Sequence, residues 1–145
     1  MSEAHPPLVW LFDVDGTLIV TDGAAREAFS LGFRDTTGTA DDMSRVAFGG
    51  RTDPLILDEL LALHGLVWDE PTRARFWRAT HAHMESLLAK GRGRVLPGVL
   101  ATLDALDAEP AWTPALLTGN SAEMARIKLG HYRLAGRFRF GAFGN

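Results

Sequence analysis

A chain of 145 residues is long enough for one ordinary domain with a sizeable core. At 46% hydrophobic and 23% charged it is neither disordered nor fibrous, and a net charge of −3 gives no broad positive footprint for nucleic acid. It contains no cysteine, which excludes disulfides, thiolate catalysis and cysteine-ligated metals and fits a cytoplasmic protein.

Residues 1–7 read as a frayed leader carrying Pro6 and Pro7. The apolar run that follows is short and interrupted by two aspartates, so neither a signal peptide nor a membrane span is expected. The run Leu8 to Leu18 reads LVWLFDVDGTL, and its first six residues are predicted to form a buried parallel strand. Gly16 supplies a permissive backbone where the chain leaves it.

From about Thr21 to Val95 the pattern is helical, with no strand signal. Ala24, Ala25, Ala28 and Phe29 recur at helical spacing, continuing to Leu31. A second helix carries Leu55, Leu57, Leu60, Leu61 and Leu63, with Asp53 as N-cap, Pro54 at its first position and a close near Gly65. A third spans about Glu70 to Lys90, with Phe76, Trp77, Thr80, Met84, Leu87 and Leu88 on one broad face. A second α/β unit begins near Leu96. Pro97 and Gly98 open a helix that ends near Glu109 and Pro110; a strand from Pro114 to Thr118 follows. Asn120 then serves as N-cap of another helix, with Glu123 three residues on, ending about Gly130. Phe138 to Phe143 reads as a third strand. The basic clusters Arg73 to Arg78, Lys90 to Arg94 and Arg126 to Arg139 are interleaved with apolar residues and read as solvated helix faces.

The order is strand, helical block, helix, strand, helix, strand. The simplest account is a helical insertion after the first strand of a parallel α/β core. Two strand ends carry polar residues, Asp13-Val-Asp15-Gly-Thr and Thr118-Gly119-Asn120. Parallel strands bring their carboxyl ends together, where ligands bind in open sheets. Asp13 could attack an electrophile and Asp15 could move a proton. Amides at a helix start, with the Thr118 hydroxyl, favour an anion. Two carboxylates also suit Mg²⁺, a hard cation. Turn chemistry alone explains either cluster singly; their conjunction at two strand ends favours phosphoryl transfer.

The motif DVDGTL at Asp13 to Leu18 resembles the first motif of the haloacid dehalogenase-like hydrolase superfamily. Leu117-Thr118-Gly119-Asn120 resembles the second motif, Gly49 to Pro54 resembles a loop in the helical caps of the phosphoglycolate phosphatase-like branch, and Leu96 to Val99 resembles the re-entry into the core. The resemblance implies a three-layer Rossmann-like parallel-sheet core, incomplete, from 1–20 and 96–145, with an all-helical cap over 21–95. It also implies a Mg²⁺-dependent phosphatase acting on small phosphorylated, phosphoglycolate-like metabolites, with no nucleic-acid or membrane partner. Asp13 would be the nucleophile and Asp15 the acid/base, both at the metal. Thr118, Gly119 and Asn120 would hold the phosphate, and Arg51 would reach substrate from the cap.

The family also carries a third-motif Lys or Arg and a fourth-motif acidic cluster, both usually after the third strand. The chain stops at Gly144-Asn145, about where that segment would begin, and no acidic residue follows Glu123. Lys128 lies eight residues past Asn120, about 12 Å along a helix, and is expected on the helix surface. The five histidines (His5, His64, His81, His83, His131) show no metal-ligand spacing and receive no catalytic role. The first strand is expected to present a bare apolar edge, and the chain to be of marginal stability. Two alternatives stay open: an impaired remnant that binds phosphate without turnover, and a phosphosugar mutase of the same lineage.

Overall fold

The computed structural model describes residues 6–145. Most of the expected leader, and His5, lie outside the described residues.

Strand β1 (Leu8–Phe12) pairs in parallel with β4 (Trp112–Leu117), and β4 pairs in parallel with β5 (Gly141–Ala142), giving the sheet order β1-β4-β5. The fold is therefore α/β, with a parallel sheet and five α-helices among the described residues. A two-residue strand β2 (Ile19–Val20) pairs antiparallel with β3 (Arg94–Val95). This small ladder sets the entry and exit of the helical block side by side. It corrects the expectation of no strand up to Val95, because a two-residue ladder is too short to show alternation.

The block consists of α1 (Ala24–Thr37), α2 (Asp53–Leu63) and α3 (Glu70–Ala89). Helix α1 ends where Gly38 takes a left-handed turn, φ 76°, and returns its N–H to Arg34 O at 2.7 Å. Helix α3 begins at Asp69, whose side chain accepts the Thr72 N–H at 3.0 Å. Phe29, Phe33, Phe76, Met84 and Leu88 are fully buried between these helices. Phe29 meets Phe76 edge to face with centroids 5.7 Å apart. Gly32 allows the close approach of α1 to α3, since a β-carbon there would collide with Thr80. Helix α2 begins one residue earlier than expected: Thr52 is the N-cap and Asp53 the first helical residue. The Asp53 carboxylate is turned away from its own helix, as described below.

A second core joins Val14, Leu18, Ile19, Leu103, Leu129 and Leu134 beneath the sheet, with α4 (Val99–Asp107) and α5 (Ala122–His131) packed there. Ser121, rather than Asn120, is the N-cap of α5 and accepts the Met124 N–H at 3.3 Å. Asn120 is occupied elsewhere. A 3₁₀ turn at Ala135–Arg137 takes up the chain before β5, so the third strand is shorter than Phe138 to Phe143.

The expected burial of the first strand is corrected. Leu8, Val9, Trp10 and Leu11 are 43%, 56%, 40% and 59% exposed. Among the described residues β1 pairs on one side only, with β4, and its other edge is open as the sequence suggested.

Candidate active site

The register from Leu8↔Trp112 to Phe12↔Leu116 carries the carboxyl ends of β1 and β4 to the same edge of the sheet. Asp13 follows β1 directly, and its Oδ1 accepts the N–H of Val14 at 2.7 Å. The chain then folds into a tight loop anchored on the fully buried Val14. Val14 O accepts the N–H groups of Leu18 and Ile19, while the Gly16 N–H reaches Ile19 O at 2.8 Å. Gly16 takes φ 76°, a left-handed conformation open to glycine. Asp13 and Asp15 are thereby left exposed on the wall of one cavity.

The facing strand end supplies buried polar groups. Thr118 and Asn120 are both nearly inaccessible. The Asn120 amide nitrogen donates to Thr118 Oγ1 at 2.8 Å and to Asp15 Oδ2 at 2.8 Å. The two motifs, 105 residues apart in sequence, are thus in direct contact. Thr118 Oγ1 also accepts the Asn120 backbone N–H at 3.2 Å, leaving its own hydroxyl hydrogen to donate. The Thr118 N–H is committed to Ala142 O and the Ser121 N–H to Asp53 Oδ2. Among the described residues, the Gly119 N–H is the one backbone donor of this turn without a protein acceptor.

Lys128 is not on the helix surface. It is 3% exposed, and its Nζ donates to Asp15 Oδ1 at 3.0 Å, Asp15 Oδ2 at 2.7 Å and Asn120 Oδ1 at 2.6 Å. The reason is geometric. Helical side chains lean toward the N-terminus, and the long lysine stem spans the remaining distance to the head of α5. The sequence neighbours of Lys128, Ile127 and Leu129, are buried as well, but neighbours one residue apart do not share a helix face, so the local pattern gave no signal for this burial.

Asp53, read from the sequence as a simple N-cap, is a second buried ionisable residue that the structure brings to the cavity wall. It is 5% exposed, and burial pushes its carboxyl up from the usual range, against the pull of the Ser121 amide and the Lys128 charge. Arg51 lines the cavity, but its Nη1 donates to Glu59 Oε2 at 2.7 Å, so its charge is already paired on the helical block.

The cavity has a volume of about 680 Å³ and is walled by both units, with Asp13, Asp15, Thr118 and Lys128 on one side and Phe48 and Arg51 on the other. Among the described residues, no group of three or more His, Asp or Glu side chains could by itself hold a metal. The donor set still fits Mg²⁺, which commonly takes one or two carboxylates and completes its octahedron with water and substrate phosphate. Of the pair, Asp13 has the freer carboxylate, since both Asp15 oxygens are held by Lys128 and Asn120. No helix among the described residues is long and apolar enough to cross a membrane.

A family model described as haloacid dehalogenase-like hydrolase matches residues 9–143. A search of curated proteins finds no match. Among solved structures, the chain is similar to a "predicted phosphoglycolate phosphatase" from Haemophilus somnus 129PT, with 19% identity and a TM-score of 0.68, covering 97% of this chain and 63% of that one. It is similar to a hydrolase from Pseudomonas syringae, with 20% identity and a TM-score of 0.71, covering 92% of this chain and 60% of that one. It is also similar to CbbY from Rhodobacter sphaeroides in complex with phosphate, with 24% identity and a TM-score of 0.59, covering 94% of this chain and 63% of that one. At these identities the likeness is one of fold. The chain spans less than two thirds of the length of each of these structures.

Proposed function

The chain belongs to the haloacid dehalogenase-like hydrolase family, and on that premise we propose that it is a Mg²⁺-dependent phosphatase working through an aspartyl-phosphate on Asp13. Its substrates are small phosphorylated metabolites of the phosphoglycolate kind, and its compartment is the cytoplasm. Residues 21–95 act as a cap over a core formed by 1–20 and 96–145. The observation that carries the reading is the contact of the two strand ends: an exposed carboxylate, Asp13, beside a proton carrier, Asp15, that is held by Asn120 and Lys128.

In the first step the Asp13 carboxylate oxygen bonds to phosphorus and the bond from phosphorus to the leaving oxygen breaks. That oxygen takes a proton from Asp15. In the second step water attacks phosphorus and gives its proton to Asp15. The bond to Asp13 breaks, and phosphate and a free carboxylate result. Thr118 and the Gly119 N–H donate to phosphoryl oxygens, and the Lys128 ammonium places a positive charge at the same end of the cavity. Mg²⁺ held by Asp13 and Asp15 would screen the anionic nucleophile from the phosphate.

A second reading, phosphate binding without turnover, is favoured by one observation: among the described residues no third acidic side chain joins Asp13 and Asp15 in a cluster. Phosphate release from a panel of small phosphomonoesters with Mg²⁺ separates the two. The expected result is turnover that falls by about a thousandfold or more in Asp13→Asn. Equal turnover in both proteins rejects Asp13 as nucleophile. Bound phosphate with no release from either favours the second reading.

A further inference from the structure

Asp53 sits where the helical block touches the core, and it grips the turn that faces the nucleophile at two points. Its backbone N–H donates to Gly119 O at 2.9 Å, and its Oδ2 accepts the Ser121 N–H at 2.7 Å. Gly119 and Ser121 flank Asn120, whose amide orients both Thr118 Oγ1 and Asp15. Two glycines leave space for this contact. A β-carbon on Gly119 would run into the Arg51 carbonyl, and one on Gly144 would meet Gly119 O and lie 2.6 Å from Thr52 Cβ. Gly144 in turn donates its N–H to Asn120 O at 2.9 Å. The Thr118–Ser121 turn is thus held between residues 51–53 on one side and residues 142–144 on the other.

The charged groups acting on the Asp53 carboxylate are Lys128 and Asp15 from the core, and it acts in turn on His81 of α3. It makes no ion pair of its own among the described residues. A carboxyl that is 5% exposed and is hydrogen-bonded by Ser121 alone is costly unless that contact fixes something.

We propose that Asp53 is a positioning residue: it clamps the Thr118–Ser121 turn to the helical block and so holds the phosphate cradle in its binding geometry. Docking of the block and phosphate affinity are then coupled through one side chain. The inference rests on the phosphatase reading, in which that turn holds the phosphoryl group.

The full chain is titrated with inorganic phosphate by calorimetry, while the melting temperature and the Ser121 amide resonance are followed. Asp53→Ala is expected to weaken phosphate binding about tenfold and to move the Ser121 amide upfield. Asp53→Asn, whose amide oxygen still accepts that N–H, is expected to stay within about threefold of the parent. Asp53→Ser, which is too short to reach Ser121 but is a good helix-start residue, is expected to match the alanine variant and serves if alanine does not fold. A folded Ala or Ser variant that melts lower but binds phosphate like the parent overturns the proposal, leaving Asp53 a merely structural contact. A parent chain that does not bind phosphate at all defeats the phosphatase reading and this inference together. Parent binding with unaffected variants defeats this inference alone.

Discussion

The helical block and the sheet treat apolar residues in opposite ways. Phe76 in α3 is fully buried, ringed by Phe29, Trp68 and Trp77, whereas Leu11 in β1, a comparably apolar residue, is 59% exposed. The block packs its core between α1 and α3, and Met124 and Ile127 of α5 join it. Strand β1 leans on one neighbour, β4, and in this structure its main service is to aim Asp13 at the turn after β4. Packing and aim are therefore divided between two regions, and the cavity lies where they meet.

The largest expected effect tests the packing side. Phe76→Ala should cost about 3–5 kcal/mol in chemical denaturation, because the cavity it leaves is surrounded by rigid rings. Leu11→Ala should cost no more than about 0.5 kcal/mol. A loss of about 2 kcal/mol or more at Leu11 would mean that the β1 edge is covered in the working protein and would erase the contrast.

A middle-sized effect tests the aiming side. Lys128→Met keeps the stem's bulk and removes the charge. Inorganic phosphate should bind about tenfold more weakly, while stability falls by about 1–3 kcal/mol, since Asp15 is partly open to water but the buried Asn120 Oδ1 loses its donor. Unchanged phosphate affinity would return Lys128 to a structural role.

The smallest effect lies at the junction. Burial holds the His81 imidazole below its usual value, with Glu123, Asp53, Glu85 and Arg126 as its charged neighbours. The unfolded chain therefore binds the proton more readily than the folded one. The contribution of neutral His81 is complete above about pH 6.5 and is lost as pH falls through that value toward the depressed folded one. Melting temperatures of the parent and His81→Phe between pH 7.5 and 5 should show a shallower slope in the variant. Parallel slopes would remove His81 from the pH dependence.

Much of this was legible in the chain. The three long helices follow from apolar spacing, and the opposition of Asp13-Val-Asp15 to Thr118-Gly119-Asn120 follows from the rule that parallel strands share their ligand-binding end. What was misread has local causes. Asn120 looks like an N-cap until its amide is seen to serve Asp15 and Thr118, which leaves capping to Ser121. The run LVWLF looks buried because burial depends on what covers a strand, and hydropathy reports only what the strand would bury. Arg51 lines the cavity, and its pairing with Glu59 of α2 is a contact that local pattern did not specify.

The sequence by itself determined the chemistry on offer: two carboxylates at one strand end, a hydroxyl and an amide at another, and helices between them. Those are properties of residue type and short-range spacing, which the chain carries wherever it folds. Tertiary structure alone decided the roles of Lys128 and Asp53. Each is defined by groups far along the chain, 113 residues between Lys128 and Asp15 and 68 between Asp53 and Ser121. A buried charge takes its meaning from the partners that desolvation forces it to find, and no local pattern specifies those partners.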